Sequence, residues 1–262
     1  MERTPRRGDR RDDDESGKSR SICHNCLARQ MGLCQALKKH ESTLLERHLA
    51  RRFCLARGQH LYDEGDAGKE VFSLIKGWVL AYHQMADGRR QGLEVLLPGA
   101  FFGMQPVDGA ALTHSAICLT DVDVCCFPFE AVVDLVQEHP DVGLQALRMC
   151  AQDRIRLHDH IVNVGRRSAR QRVAYFLVDL LQRLRIRSQA TDHVTVPLNQ
   201  QELGDILGLT PVHLNRVFRG FRELGLISTQ RGMIDIIDAA GLAAIVNEKS
   251  PSQAGRARKP TD

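Results

Sequence analysis

The alternation of apolar and polar positions changes character several times along the chain, and each change predicts a different kind of structure. Between Phe53 and Phe129, short apolar runs such as VFSLIKGWVLAYH, EVLLPGAFFGM and HSAICLTDVDVCCFPF are cut by glycines. Gly77, Gly88 and Gly99 recur at equal intervals close to the expected strand ends. Short strands at regular spacing with turn residues between them predict an all-β roll, sandwich or barrel. Just before it, ESTLLERHLARR has helical spacing, with Leu44, Leu45, His48 and Leu49 on one side.

From Pro140 to about Leu184 the period is helical, with a break expected near Gly165. In its first part Leu144, Leu147, Ala151, Ile155 and Val162 form a narrow stripe. A stripe this narrow is closer to a coiled-coil seam than to the broad face of a core helix, so it predicts a homodimer contact. His158 interrupts the seam and Asp159 lies beside it. Two-fold symmetry brings such like charges near each other, which predicts a weak dimer.

Past an expected loop, SQATDH, comes VPLNQQELGDILGLTPVHLNRVFRGFRELGLISTQRGMIDIID. NQQELGDIL predicts an amphipathic helix ending at a Gly208-Leu209 turn. Thr210 can cap a second helix with Pro211 at its first position, where a missing N–H costs nothing. That helix carries Leu214, Val217, Phe218, Phe221 and Leu224 toward a core. LIST and MIDIID then read as a β-hairpin. Helix, glycine turn, capped helix and hairpin together predict a winged helix-turn-helix.

Composition narrows the class. The chain has 262 residues, long enough for one large domain or two smaller ones, and its 43% apolar content is that of an ordinary globular protein. No apolar run approaches the length of a membrane helix, and MERTPRRGDRRDDDESGKSR lacks the apolar core of a secretory signal, so a cytoplasmic protein without membrane contact is expected. Eight cysteines in that setting do not suggest a disulfide framework. The net charge of +4 neither requires nor excludes nucleic acid. Arg154, Arg156, Arg166, Arg167, Arg170, Arg172, Arg183 and Arg185 make a basic flank that reads equally as a phosphate-facing surface or as a solvated face. No nucleophile elbow, phosphate loop or metal-hydrolase motif is present, so an enzyme is not expected.

The expected class is α+β. A disordered tail spans 1–20, a cysteine segment with a β-roll 21–139, a dimerisation helix 140–164, a winged helix-turn-helix 165–246, and a second tail 247–262.

Two constellations carry chemistry. On the second helix of the helix-turn-helix, Val212, His213, Asn215, Arg216 and Arg219 are left facing outward. Arginine pairs bidentately with guanine, asparagine with adenine, and valine packs on a thymine methyl. Thr210 and Gln201 stand at the two helix starts, where polar groups hold phosphates. Double-stranded DNA, read as a palindrome by a dimer, is the expected partner.

The other constellation is CHNCLARQMGLC, in which Cys23, Cys26 and Cys34 have the spacing C-x2-C-x7-C. Thiolates so placed converge on a soft metal. Three ligands leave a closed site one short. Cys54, Cys118 and Cys150 read as small buried hydrophobes. Cys125 and Cys126 are strand neighbours that face opposite ways, so at most one faces the trio. His24 is an exposed loop residue on this reading.

The order of these parts resembles the CRP/FNR superfamily of bacterial transcription regulators, and within it the FNR-type oxygen sensors, over about residues 21–245. The family's fourth cluster cysteine stands in a V-C-x-x-P-F-E context. Val124-Cys125-Cys126-Phe127-Pro128-Phe129-Glu130 matches it and selects Cys125. The resemblance implies a [4Fe–4S] cluster on Cys23, Cys26, Cys34 and Cys125, with RNA polymerase as a further partner. Oxygen would then relax the cysteine segment, release the dimer and remove operator binding. The seven-residue gap resembles the FnrL/FnrN/FixK-like branch rather than the best-known members, which have five. FNR proteins show E-x-x-S-R where this chain has Val212-x-x-Asn215-Arg216, so the operator is expected to differ. FFGMQPVDGAALTHSA lacks the Glu and Arg-Ser pair of the cyclic-nucleotide branch, so no cyclic nucleotide is expected. Alternatives for the thiols are a zinc site, or a redox switch working through disulfides.

Overall fold

The computed structural model describes Cys23, Cys26 and residues 31–37, 42–105, 110–187, 194–230 and 233–248. The tail expected over 1–20, residues 249–262 of the tail expected over 247–262, the SQATDH loop, His24 and the Arg231-Gly232 turn lie outside these residues. Asn247 and Glu248, expected in that second tail, are instead held to the fold, the Glu248 carbonyl accepting from Gln171 at 2.7 Å. The chain divides into two compact units, Met1–Arg156 and Leu157–Asp262. The division falls inside the long helix.

In the first unit α1 (Ser42–His48) runs into β1 (Arg51–Leu55). The helix expected over ESTLLERHLARR is therefore shorter than its pattern, because Arg51 and Arg52 pair with β8 (Val122–Pro128) as strand residues. Between them lie β2 (His60–Tyr62), β3 (Glu70–Lys76), β4 (Val79–Gln84), β5 (Arg90–Leu96), β6 (Phe101–Phe102) and β7 (Ser115–Cys118). Two four-stranded antiparallel sheets result, ordered β1-β8-β3-β6 and β2-β7-β4-β5. This is the expected β-roll. Its interior is filled from both sheets by Tyr62, Phe72, Leu74, Val79, Leu96, Phe102, Val124 and Cys126.

Gly77 shows why the turns need glycine. Its φ is +88°, and a Cβ there would lie 2.3 Å from the Asp121 carbonyl oxygen.

The pleat decides what β8 presents to each side. Val122, Val124 and Cys126 point into the roll. Cys125 and Phe127 point to the opposite face, where they join Val71, Ile75 and Val132. Val132 comes from α2 (Phe129–Glu138), a helix the sequence pattern did not separate from the strand before it.

The long helix α3 (Pro140–Arg166) has two faces. Val142 is fully buried and packs with Ala146 and Met149 against the cysteine segment, while Gln145 between them is only 8% exposed. Leu144, Leu147 and Ile155 stand outward with 46%, 69% and 60% of their surface exposed. Ala151, His158, Asp159 and Val162 are exposed as well. Leu157 and Ile161 widen this outer stripe beyond the expected seam.

The second unit continues with α4 (Ala169–Arg187), the break before it falling three residues after Gly165. Then follow β9 (Val194–Val196), α5 (Gln200–Leu207), α6 (Pro211–Glu223), β10 (Ile227–Gln230), β11 (Met233–Ile236) and α7 (Ala239–Val246). Asn199 caps α5 in a reciprocal box with Glu202, and Gly208 ends it at φ +61°. Thr210 accepts from the His213 N–H to cap α6, with Pro211 next. Leu214, Phe218 and Phe221 fill the core as expected. Leu224 does not: it is 56% exposed. It is the C-cap residue, followed by the turn at Gly225, and Leu226 takes the buried place. The hairpin gains a third strand, in the order β10-β11-β9. Among the described residues no helix is long and apolar enough to cross a membrane.

Candidate metal centre and nucleic-acid interface

The cysteine segment is held in place by apolar anchors and a few hydrogen bonds. Cys23 and Cys26 bracket a turn, with the Cys26 N–H donating to the Cys23 carbonyl at 3.4 Å. The Cys23 N–H donates to Glu46 of α1 at 2.9 Å. Cys34 lies in a short 3-10 helix, Gly32–Ala36, whose Leu33 is buried. Leu33 and Leu37 pack with Cys23, Leu45, Leu135 and Val142. A small cavity beside Cys34 is lined by Leu33, Ser73, Phe101, Phe127 and Leu135.

Cys125 reaches this segment from β8. Its thiol packs in the same cluster as Cys26 and Leu49. Its pKa is pushed up first by burial and then by the nearby charges of Cys23, Cys34 and Cys26, while Arg52 works the other way. Cys23, Cys34 and Cys26 are thus each near enough to Cys125 to act on its charge. Cys126 belongs to the roll interior, and burial is the main cause of its raised pKa, about 12. Among the described residues no three His, Cys, Asp or Glu side chains are drawn together tightly enough to hold a single metal ion.

Arg52 was not singled out by sequence reasoning. It stands directly opposite Cys125 in the β1–β8 register. Its guanidinium donates to the Asp123 carboxylate at 3.0 and 2.5 Å, and it senses Cys125 and Cys26. A fixed cation beside a thiol favours its ionised form, so Arg52 opposes the upward push of burial on Cys125.

The other cysteines divide. Cys118 and Cys126 are buried in the roll, but Cys54 and Cys150 are exposed, against the expectation for both. Phe53 and Leu55 turn inward on β1, so the pleat sends Cys54 outward. Cys150 lies on the exposed side of α3 near Leu147.

In the second unit the outward residues of α6 form one face. Val212 is 68% exposed, and His213, Asn215, Arg216 and Arg219 are exposed beside it. Gln201, at the start of α5, is exposed and bonded to Asp205 at 3.0 Å. Thr210 is exposed and spends its hydroxyl on the α6 cap.

Much of the basic flank is occupied internally. Arg156 bonds Glu94 at 3.1 Å and also Asp153. Arg172 donates to the Arg167 and Leu207 carbonyls at 3.0 and 3.2 Å. Arg167 stacks over Tyr175 at 3.8 Å, and Arg170 and Arg183 pair with Glu248 and Asp179. Arg154, Arg166 and Arg185 remain exposed.

Comparison with known proteins matches residues 52–139 to the cyclic nucleotide-binding domain model and residues 171–245 to the Crp-like helix-turn-helix domain model. The chain is 31% identical over 224 residues to the nitrogen fixation regulation protein FixK of Bradyrhizobium diazoefficiens, covering 86% of this chain and 93% of that protein. It is 30% identical over 214 residues to the transcriptional activatory protein AadR of Rhodopseudomonas palustris, covering 82% and 88%. The structure of FixK2 from Bradyrhizobium japonicum superimposes with a TM-score of 0.68 at 23% identity, over 76% of this chain and 98% of that one.

Proposed function

The chain belongs to the CRP/FNR family of transcription regulators, in its FNR/FixK-type branch, and from that premise we propose that it is an oxygen-responsive homodimeric regulator. As a member of that family it is a DNA-binding protein and not an enzyme. The observation that carries the finer reading is the gathering of Cys23, Cys26 and Cys34 about Cys125.

An all-sulfur donor set of four thiols fits a soft, multi-thiolate group. Four thiolates suit a [4Fe–4S] cluster and Zn²⁺ alike. The resemblance of Val124-Cys125-Cys126-Phe127-Pro128-Phe129-Glu130 to the family's cluster-cysteine context favours the cluster, and zinc is the alternative that metal analysis tests. When bound, such a cluster supplies the oxygen-labile element.

The chain's own residues do the rest. The four cysteines tie the N-terminal segment to β8, beside the inner stripe of α3. The outer stripe of the same helix, with Leu144, Leu147, Ala151, Ile155 and Val162, receives a second copy. His158 and Asp159 keep that contact weak enough to be controlled. Two copies of α6 then address half-sites about 34 Å apart, with Val212, His213, Asn215, Arg216 and Arg219 at the bases and Thr210 and Gln201 toward the phosphates. A monomer presents one reading helix and loses the operator. RNA polymerase is the downstream partner on this reading. A cyclic nucleotide is not the signal on this reading, because FFGMQPVDGAALTHSA lacks the Glu and Arg-Ser pair that holds it in the cyclic-nucleotide branch of the family.

The test is purification without oxygen, analysis for iron, sulfide and zinc, and titration of a duplex selected from random DNA under the same conditions. Iron and sulfide should be present, and exposure to air should bleach the protein and weaken DNA binding about a hundredfold. Zinc in place of iron, or equal binding in air, contradicts the reading.

A further inference from the structure

Gln145 is a polar side chain on the buried stripe of α3, between Val142 and Ala146–Met149. Its side-chain amide donates to the carbonyl of Gly32 at 3.2 Å. Gly32 opens the 3-10 helix that carries Cys34. The glycine is itself wedged: its φ is +67°, and a Cβ there would lie 2.1 Å from the Gly99 carbonyl oxygen. The turn bearing Cys34 is therefore clamped between the β5–β6 connection on one side and the Gln145 amide on the other. Leu144 and Leu147, the first two residues of the exposed stripe, flank Gln145 in sequence and lie on the opposite face.

We propose that the Gln145–Gly32 hydrogen bond is the positioning contact through which movement of the Cys34 turn is passed to the exposed face of α3. This rests on the reading of the four cysteines as one metal centre. A shift of Gly32 must either break this bond or carry Gln145 with it, because an unpaired amide at a buried position is disfavoured. Dragging Gln145 rotates or slides the helix at residues 144–147, where the outer stripe begins. The apolar packing around Val142 holds the two surfaces together but is non-directional and tolerates sliding. The hydrogen bond supplies direction.

The variants are Gln145→Leu, which keeps bulk in an apolar setting and removes the donor, and Gln145→Glu, which keeps shape and removes the donor above neutral pH. Gln152→Leu, at an exposed position of the same helix, is the control. Amide hydrogen exchange is followed in residues 31–37 and 140–150, for anaerobically purified protein and for the same protein after stripping with chelator and oxidant. In the wild type and in Gln152→Leu, stripping should speed exchange about tenfold in both segments together. In both Gln145 variants it should speed exchange in 31–37 alone, with iron content unchanged and the dimer constant indifferent to stripping. Joint movement of both segments in the Gln145 variants overturns the proposal. The metal-free proteins provide a separate arm. There Gln145→Leu should exchange about tenfold faster than wild type in 31–37, and equal rates overturn the bond's role whatever the metal. A wild type without iron refutes the metal-centre reading instead.

Discussion

Leu147 separates a dimer face from a core face most sharply, because it is an apolar side chain with 69% of its surface exposed in the single chain. Fully burying a leucine is worth about 1.5–3 kcal/mol, so covering the exposed part is worth about 1–2 kcal/mol in each copy. Two-fold symmetry counts every seam residue twice. Alanine retains the first side-chain carbon, so Leu147→Ala should cost the dimer about 2–3 kcal/mol. That raises its Kd about 30- to 150-fold. The protomer itself should lose less than about 0.5 kcal/mol, since no core contact is removed. Val142, fully buried four residues before Ala146 on the inner stripe, is the contrast. Val142→Ala should destabilise the protomer by about 1–3 kcal/mol. Sedimentation velocity over a concentration series gives Kd, and thermal melts below both Kd values give protomer stability. A Kd for Leu147→Ala within threefold of wild type, or a protomer as destabilised as Val142→Ala, would refute the two-faced reading of α3.

Val212→Glu should move the selected operator toward the half-site read by FNR proteins, with a change in relative affinity of about 10- to 100-fold by competition titration; an unchanged selection means α6 meets DNA in another register. Asn199→Ala removes the reciprocal cap of α5 and should cost about 1 kcal/mol in urea unfolding, whereas Gln201→Ala, two residues on and exposed, should cost little. The pKa of His114 is lowered by burial, with Glu64 and Glu94 opposing. Its neutral form is therefore the folded one. Stability from this group is present above the unfolded pKa of about 6.5 and is lost as pH falls below it. Melts between pH 7.5 and 5 should show this acid loss, and His114→Gln should flatten it.

The helix-turn-helix was legible because its signals are local. Gly208, Thr210 and Pro211 each act on the backbone within three residues, so spacing alone reveals them. The roll was legible through its glycines and alternating runs. What sequence could not reach depends on distant partners. β9 is a three-residue strand that exists only because β11 pairs with it. α7, AAGLAAIV, is apolar nearly all round and has no helical face to detect. Cys125 and Cys126 are distinguishable by the pleat, but only once the partner strands fix which face is the interior. Gln145 carries no local signal of its role, because its partner, a backbone carbonyl, lies 113 positions away. Arg52 was hidden for the same reason, being assigned to a helix when it is a strand residue opposite Cys125.

The central claim is that one metal centre is built from the N-terminal trio and the outward-facing member of the β8 cysteine pair. The most direct measurement is iron and sulfide content of anaerobically purified Cys125→Ala and Cys126→Ala beside the wild type. Wild type and Cys126→Ala should each hold about four irons per chain and share one visible spectrum, with Cys126→Ala melting lower for its lost packing in the roll. Cys125→Ala should be colourless and folded. Iron retained in Cys125→Ala, or lost instead in Cys126→Ala, would contradict the site as drawn.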